Sequence, residues 1–267
     1  MNWLSLIDTS RVFVFALVLT RVSGIVVSAP VFGGGDIPLQ FRALFSMAIA
    51  FLIMPSQWTL AVDEPTSLPG FAVFIAAELL IGLTIGMGVN VFFSAMHIAG
   101  DMIGRIGGLT SSQLFDPTTG DQVPLLGRFF QLMAVTVFAC IGGLRIMLGA
   151  LLDTFETIPV GSGLIRLGPA ESITAIVSVT FSLGFRIAAP ATVGILIAMI
   201  VMGVLGRTLP QLNLMSVGFG INTIIMYSIV FLTVGSAMLC FQERFIYVLE
   251  LIFAGFDTTI QAEWLDI

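Results

Sequence analysis

Two short motifs in this chain have the spacing of known hydrolase sites. Gly33-Gly34-Gly35-Asp36 matches the Gly-x-Gly-Asp pattern of intramembrane aspartyl proteases, whose chemistry requires two facing carboxylates that share a proton. No nearby apolar segment contains a second aspartate, and Ile37-Pro38 follows directly, which favours a turn. Gly161-Ser162-Gly163 places a serine between glycines as in a nucleophile motif. The only histidine, His97, precedes this serine, and the surrounding Pro and Gly residues favour a loop.

Other catalytic and metal-binding patterns are absent from the sequence. It contains no His-Glu-x-x-His, no Cys-x-x-Cys and no Gly-rich phosphate-binding motif. Every basic residue is an arginine, which excludes Schiff-base and other lysine chemistry. Cys140 and Cys240 lie deep in apolar segments, where we expect small core residues rather than a disulfide or a metal pair. The sequence therefore predicts a protein that is not an enzyme and that needs no cofactor or metal.

Four charged residues lie inside apolar segments: Arg21, Glu78, Arg145 and Arg186. A charge at the middle of a bilayer costs at least about 2.5–3.5 kcal/mol on insertion scales. One interpretation is an ion or proton relay, and the other is buried pairing, for example of Glu78 with an arginine. Because a relay usually recruits more titratable groups than a single histidine, we favour pairing and assembly with other subunits.

The composition is that of an integral membrane protein. The chain has 267 residues, of which 57% are hydrophobic and only 10% charged, whereas soluble domains carry roughly 25% charged residues. The net charge of −6 provides no basic patch, so we expect no nucleic-acid partner. The first apolar segment lacks a basic region before it and a favourable cleavage site, so we expect it to be retained.

The hydropathy pattern predicts an all-α membrane protein with about six long hydrophobic helices, some broken or forming hairpins, in a single domain over 1–267. A seventh, shorter segment at about 245–256 is expected at the membrane interface. Two segments exceed the ~30 Å bilayer core, at about 45 and 50 Å if helical. Arg186 and Pro190 suggest a kink or a re-entrant hairpin in the second. The six apolar segments are 12–32, 43–62, 71–100, 125–152, 173–205 and 214–241.

A polar, glycine-rich segment interrupts this pattern between about Asp101 and Arg128. Irregular backbone exposed to lipid is not tolerated at membrane depth, because each unpaired N–H or C=O costs several kcal/mol there. The segment therefore lies outside the bilayer, is buried in protein, or lines a water-filled cavity. The stretch Gly82–Gly86 on the preceding segment carries small residues four apart, which allow close helix packing within the chain or against another subunit.

Several local patterns, in collinear order over nearly the whole chain, resemble the FliR family of flagellar biosynthesis proteins, whose type III secretion relatives are called SctT. Each pattern alone is weak, and the Pro-Gln-x-Asn element is the most specific. The matching residues are Arg21-Val-Ser-Gly24, Ala29-Pro30, Ile37-Pro38 and Arg42; Glu78 with Gly82 and Gly86; Phe115-Asp116-Pro117 before Pro124–Gly127; and Arg207, Pro210, Gln211 and Asn213.

The resemblance implies a subunit of a helical hetero-oligomeric export gate around a central channel, formed with FliP- and FliQ-like subunits and working with FlhA and FlhB. Unfolded flagellar subunits would pass through it, across the bacterial inner (cytoplasmic) membrane at the flagellar basal body. A small-solute or ion transporter of that membrane is the alternative, and it should purify without partners. A protease built on Asp36 is a second alternative, for which Asp36→Ala should abolish cleavage but not assembly.

The resemblance also implies roles for particular residues. The loop at about 104–124 is similar to a plug that closes the channel, and the alternative is a plain connection outside the membrane. The implied plug residues are Gly107, Gly108, Leu109, Leu114, Phe115 and Asp116. The implied assembly and packing residues are Arg21, Pro30, Pro38, Arg42, Glu78, Gly82, Gly86, Arg207, Pro210, Gln211 and Asn213.

Overall fold

The computed structural model describes residues 9–33, 37–57, 67–109, 124–161, 170–208 and 214–254. Within these ranges every regular element is helical, as the composition predicts. The helices are α1 (Thr9–Ser28), α2 (Pro30–Gly33), α3 (Leu39–Ile53), α4 (Leu68–Ile106), α5 (Leu125–Cys140), α6 (Gly143–Thr157), α7 (Ala170–Thr208) and α8 (Leu214–Ala254), with a short 3-10 turn at Met54–Gln57 after α3.

The long apolar runs form helices because a membrane supplies no hydrogen-bond partners, so each backbone group must be paired within its own segment. In the described ranges five helices are long and apolar enough to cross a membrane, and six if the broken pair α5 and α6 counts as one span. The protein is therefore an all-α membrane protein. Helices α4, α7 and α8 contain 39, 39 and 41 residues, or roughly 60 Å each, about twice the bilayer core.

Two expectations about these helices are wrong. The break falls in the segment predicted at 125–152, where Gly142 adopts a left-handed conformation (φ 73°) that favours glycine and separates α5 from α6. In contrast, α7 continues through Pro190 as one helix, so the expected re-entrant hairpin is wrong, whereas the alternative of a kink there stays a prediction. The predicted separate segment at 245–256 is also incorrect, because α8 runs without interruption to Ala254.

The chain forms two compact units, 1–91 with 142–176 and 247–267, and 92–141 with 177–246. The first is built around α1, the first part of α4, and α6. The second contains a cluster of five phenylalanines from α4, α5 and α8, each of them buried. Neighbouring rings in it lie between 4.9 and 6.4 Å apart, within the range of favourable aromatic contacts. The cluster comprises Phe92, Phe93, Phe138, Phe241 and Phe245. The single domain over 1–267 stays a prediction.

The charged and thiol side chains in the apolar helices differ in their exposure. Arg21 and Glu78 are buried, whereas Arg145 and Arg186 are exposed on the surface of this chain. Both cysteines, Cys140 and Cys240, are also exposed, so the expectation that they are core residues is wrong. In each of α5 and α8, one face of the helix packs inside the chain and the opposite face is exposed.

Candidate functional site

A buried ion pair joins the first and fourth helices. Nε of Arg21 on α1 donates to Oε2 of Glu78 on α4 over 2.6 Å, although the residues are 57 positions apart in sequence. The two side chains are 0% and 1% exposed. The structure thus gives Glu78 an arginine partner inside the chain, as the pairing interpretation expects. Such a pair is tolerated only where further hydrogen bonds satisfy the remaining donors and acceptors.

Arginine 21 also caps the end of α6. Its Nη1 donates to the carbonyl oxygens of Thr154 at 3.1 Å and Ile158 at 3.0 Å. The Thr154 carbonyl also accepts from the Ile158 amide over 2.9 Å, so Arg21 gives it a second donor. Both carbonyls lie at the negative end of the helix dipole, where a buried cation is favourable. The guanidinium carbon lies 4.4 Å from the ring centroid of Phe155, a cation–π contact. Only Nη2 of this guanidinium has no hydrogen-bond partner in the described structure.

The second carboxylate oxygen of Glu78 is held by the turn that follows α6. The amide of Gly161 donates to Oε1 over 2.9 Å. Gly161 has φ 85°, a left-handed conformation that residues with a Cβ rarely adopt. Both oxygens of Glu78 therefore have partners, from α1 and from the turn after α6. The site therefore ties together three segments that are distant in sequence.

Close packing of the backbones of α1 and α4 places the pair. A Cβ on Gly82 would collide with the carbonyl oxygen of Arg21, and one on Gly24 would lie 3.0 Å from the carbonyl oxygen of Leu79. Gly86 likewise packs on Ser28 and leaves a Cβ only 2.8 Å from the carbonyl oxygen of Ile25. The small-residue face of α4 thus packs within the chain.

We expect Gly82→Ala to weaken this packing strongly. The added Cβ would meet the backbone of Arg21, so no side-chain rotation can relieve the clash, and overpacking of this kind costs about 1–3 kcal/mol. We expect about a tenfold or greater loss of folded protein, measured as the monodisperse fraction in detergent after mild heating.

The matched control is Gly149→Ala on α6, since a Cβ there meets no atom within 4 Å. Alanine also favours a helix over glycine, so this control should be neutral or stabilising. Equal losses in the two variants would contradict the packing argument.

The predicted plug residues are described in part. Gly107 is buried, and Gly108 and Leu109 are partly exposed. Gly107 and Gly108 close the end of α4, with amides that donate to the carbonyls of Ile103 at 2.8 Å and Arg105 at 3.2 Å. Gly108 has φ 82°, the left-handed conformation typical of glycine after a helix. Leu114, Phe115 and Asp116 lie outside the described residues.

The structure brings four of the predicted assembly residues together and describes only some of the others. Arg21, Glu78, Gly82 and Gly86 come together as above. The structure describes four others: Pro30 begins α2, Pro38 precedes α3, Arg42 is partly exposed in α3, and Arg207 is exposed in the last turn of α7. Pro210, Gln211 and Asn213 lie outside the described residues, as do Asp36 and Ser162 of the two hydrolase-like motifs.

Sequence reasoning missed the groups that complete the ion-pair site. These are the carbonyls of Thr154 and Ile158 and the amide of Gly161. Backbone groups have no residue-type signature, so the pattern could not reveal them. In Gly161-Ser162-Gly163 the sequence pointed to the serine, whereas it is the amide of Gly161 that binds Glu78.

The fold defines a class of protein. It is a membrane protein built from long apolar helices, with a buried arginine–glutamate pair between α1 and α4. The chain matches the family described as bacterial export proteins, family 1, over residues 12–247. It is 30% identical to the flagellar biosynthetic protein FliR of Bacillus subtilis over 76% of this chain and 79% of that protein. The chain therefore belongs to the FliR family of bacterial export proteins.

Other similar proteins cover the chain comparably. The flagellar biosynthetic protein FliR of Escherichia coli is 29% identical over 75% of this chain and 76% of its own length. That of Caulobacter vibrioides is 24% identical over 90% of this chain and 96% of its own length. The similarity thus extends over most of both chains.

Proposed function

We propose that this chain is a channel-forming subunit of the flagellar type III protein export gate in the bacterial inner membrane, at the flagellar basal body. The observation that carries the proposal is the family match over residues 12–247. Similar proteins are named as flagellar biosynthetic proteins. The cargo would be unfolded flagellar subunits, and the chain itself would contribute a passage rather than a catalytic group or a cofactor.

The surface chemistry of the chain supports a role inside a larger complex. Helices of roughly 60 Å exceed the bilayer core about twofold, so other protein or water must cover part of them unless they tilt steeply. Arg186 is exposed near the middle of α7 and Arg145 on α6. Because an exposed arginine is costly against lipid, these positions favour contact with partner subunits or an aqueous channel. FliP- and FliQ-like subunits are the proposed partners, with FlhB and FlhA acting alongside.

The ion-pair site supports a structural contribution to that assembly. Arg21 and Glu78 lock α1, α4 and the end of α6 into one arrangement before partners bind. A preorganised surface loses less conformational entropy on association. The other proposed contact residues, each taken by itself, are Pro30, Pro38, Arg42, Arg207, Pro210, Gln211 and Asn213.

Closure of the channel is assigned to the loop between α4 and α5. Gly107, Gly108 and Leu109 form its start, and Gly108 turns the chain away from the helix axis. Leu109, Leu114 and Phe115 would supply the apolar bulk that excludes water and ions from a pore. Asp116 with Pro117 would fix the turn back toward α5.

The test is co-purification. The tagged chain is expressed with and without FliP- and FliQ-like partners, and the detergent complex is weighed by native mass spectrometry. We expect one copy of the chain in a large hetero-oligomer, and poor recovery without the partners because its apolar and charged surfaces stay uncovered. A stable homo-oligomer or monomer indifferent to those partners would overturn the proposal and favour the small-solute or ion transporter.

A further inference from the structure

Three polar side chains follow one another along an exposed side of α7. Ser178, Ser182 and Arg186 are four positions apart in turn, so they lie on one side of the helix, and all three are exposed on this chain. We call them the polar stripe of α7. They lie inside the 36-residue apolar span Ile173–Thr208. The polar stripe therefore stands on a membrane-type helix, where lipid would offer its donors no partner.

The two serines differ from other hydroxyl side chains on the long apolar helices. Thr84, Thr136 and Ser228 each donate to the carbonyl oxygen four residues earlier in their own helix, over distances between 2.7 and 2.9 Å. Within the described ranges, the hydroxyls of Ser178 and Ser182 make no such hydrogen bond. Their O–H groups are therefore available to an acceptor on another helix.

The charged end of the polar stripe is Arg186. Within the part of the chain that the structure describes, no carboxylate pairs with it. An arginine in an apolar span is costly against lipid and is usually paired or in contact with water. The planar guanidinium presents its N–H donors in a fork that matches the two oxygens of a carboxylate. A carboxylate is therefore the group that best satisfies Arg186.

The surface around the polar stripe is apolar. Val193, Ile197 and Ile200 continue the same side of α7 after Arg186 and are exposed, as is Phe185 beside it. The wall of a water-filled passage gains hydrogen bonds only from polar groups, and here these cover only about two turns, or about 12 Å. A short polar patch within an apolar face fits the facing side of one helix better than a column of water.

We propose that the polar stripe of α7 docks one membrane helix of a partner subunit, which places a carboxylate against Arg186 and hydrogen-bond acceptors against the two serines. This inference rests on the proposed function, in which the chain works inside a hetero-oligomer, and it adds the chemistry of one contact. The small serine side chains allow the two helices to approach closely. Arg186 selects the helix and its register, because a mismatched helix leaves the charge unpaired.

The test uses the full chain expressed with its FliP- and FliQ-like partners, with the hetero-oligomer measured by native mass spectrometry. Arg186→Leu should give at least about tenfold less hetero-oligomer, because the partner's carboxylate stays buried without its cation. Arg186→Glu should abolish assembly, since two like charges then face each other. Ser178→Ala combined with Ser182→Ala should lose about threefold, because single hydrogen bonds between membrane helices are weak.

The matched control for the serines is Ser228→Ala on α8. Ser228 is exposed as well, but its hydroxyl donates to the carbonyl of Ile224 in its own helix, so its loss should leave assembly unchanged. Equal amounts of each variant in the membrane fraction show that the chain is inserted. Equal losses in the control and in the double serine variant would contradict the role of the hydroxyls.

Cross-linking locates the carboxylate of the partner. A photoreactive amino acid replaces Ala189, which is exposed beside the polar stripe, and mass spectrometry identifies the attached peptide. We expect a helix of a partner subunit with Asp or Glu within about one turn of the cross-link. Changing that carboxylate to arginine should restore assembly of Arg186→Glu. A lipid adduct at this position, or no restoration, would overturn the contact.

The unaltered chain separates this inference from the proposed function. If it forms the hetero-oligomer and Arg186→Leu forms it equally well, the contact is overturned while the proposed function stands. An Arg186→Leu complex that assembles fully but leaks ions differently would place Arg186 in water and would overturn the contact as well. If the unaltered chain does not assemble with these partners, the proposed function fails, and the contact fails with it.

Discussion

Replacing Glu78 by alanine should remove most of the assembled complex. The substitution leaves the guanidinium of Arg21, which is 0% exposed, without its carboxylate partner. Breaking a buried pair in this way costs about 3–5 kcal/mol, because the remaining charge is buried and uncompensated. The Gly161 amide loses its acceptor as well. A free-energy loss of that size corresponds to at least about a hundredfold less hetero-oligomer at equal expression. Native mass spectrometry measures this loss.

Arginine 21 provides the reciprocal variant. Arg21→Ala should be at least as damaging, since it leaves Glu78 buried and also removes the side-chain donor to the Thr154 and Ile158 carbonyls. The double variant Arg21→Met with Glu78→Leu should be less damaging than the sum of the two single losses. A pair of apolar residues of similar volume leaves no buried charge, so the two substitutions are coupled.

An exposed ion pair on the same helix is the control. Arg105 contacts Asp101 over 2.8 Å, four residues apart on α4, and the Arg105 side chain is 68% exposed. Exposed pairs of this kind contribute under about 1 kcal/mol, so Arg105→Ala should leave assembly nearly unchanged. An assembled but inactive Glu78→Ala complex would contradict the structural role of the buried pair and favour a part in transport itself.

Deleting residues 107–115 should leave the complex assembled but unable to retain small ions. The ion-pair site lies elsewhere in the chain, at α1, the first part of α4 and the end of α6, so the deletion spares it. The apolar bulk proposed to exclude water from the pore is lost. We expect a near-complete loss of ion retention in cells making the complex, measured by a membrane-potential dye, with assembly checked by native mass spectrometry.

A replacement of the same length separates sealing from distortion. Residues 107–115 are exchanged for glycine and serine, so the span between α4 and α5 is restored without apolar side chains. Leakage in this variant would show that the side chains seal the pore. Ion retention in both assembled variants would exclude the loop as the seal and favour a plain connection.

Much of the fold follows directly from the sequence, because hydropathy is a local property. An apolar segment in a membrane has no hydrogen-bond partner except its own backbone, so length and composition are sufficient to predict α1, α4, α7 and α8 as helices. Their ends were less predictable. Gly142 breaks one apolar segment through its left-handed conformation, whereas Pro190 is accommodated within α7. Neither outcome follows from residue type alone.

The sequence by itself determined that this is an all-α membrane protein that resembles the FliR family. It also favoured buried pairing over a relay for Glu78, for example with an arginine, since an isolated charge in an apolar segment is costly. Only the tertiary structure decided that the partner is Arg21, that Gly24 and Gly82 bring the two backbones together, and that backbone groups after α6 complete the site. It also decided that the side of α7 with Ser178, Ser182 and Arg186 stays exposed on this chain. Charge and hydropathy are encoded residue by residue, whereas the choice among several arginines and the use of backbone carbonyls depend on which segments pack side by side.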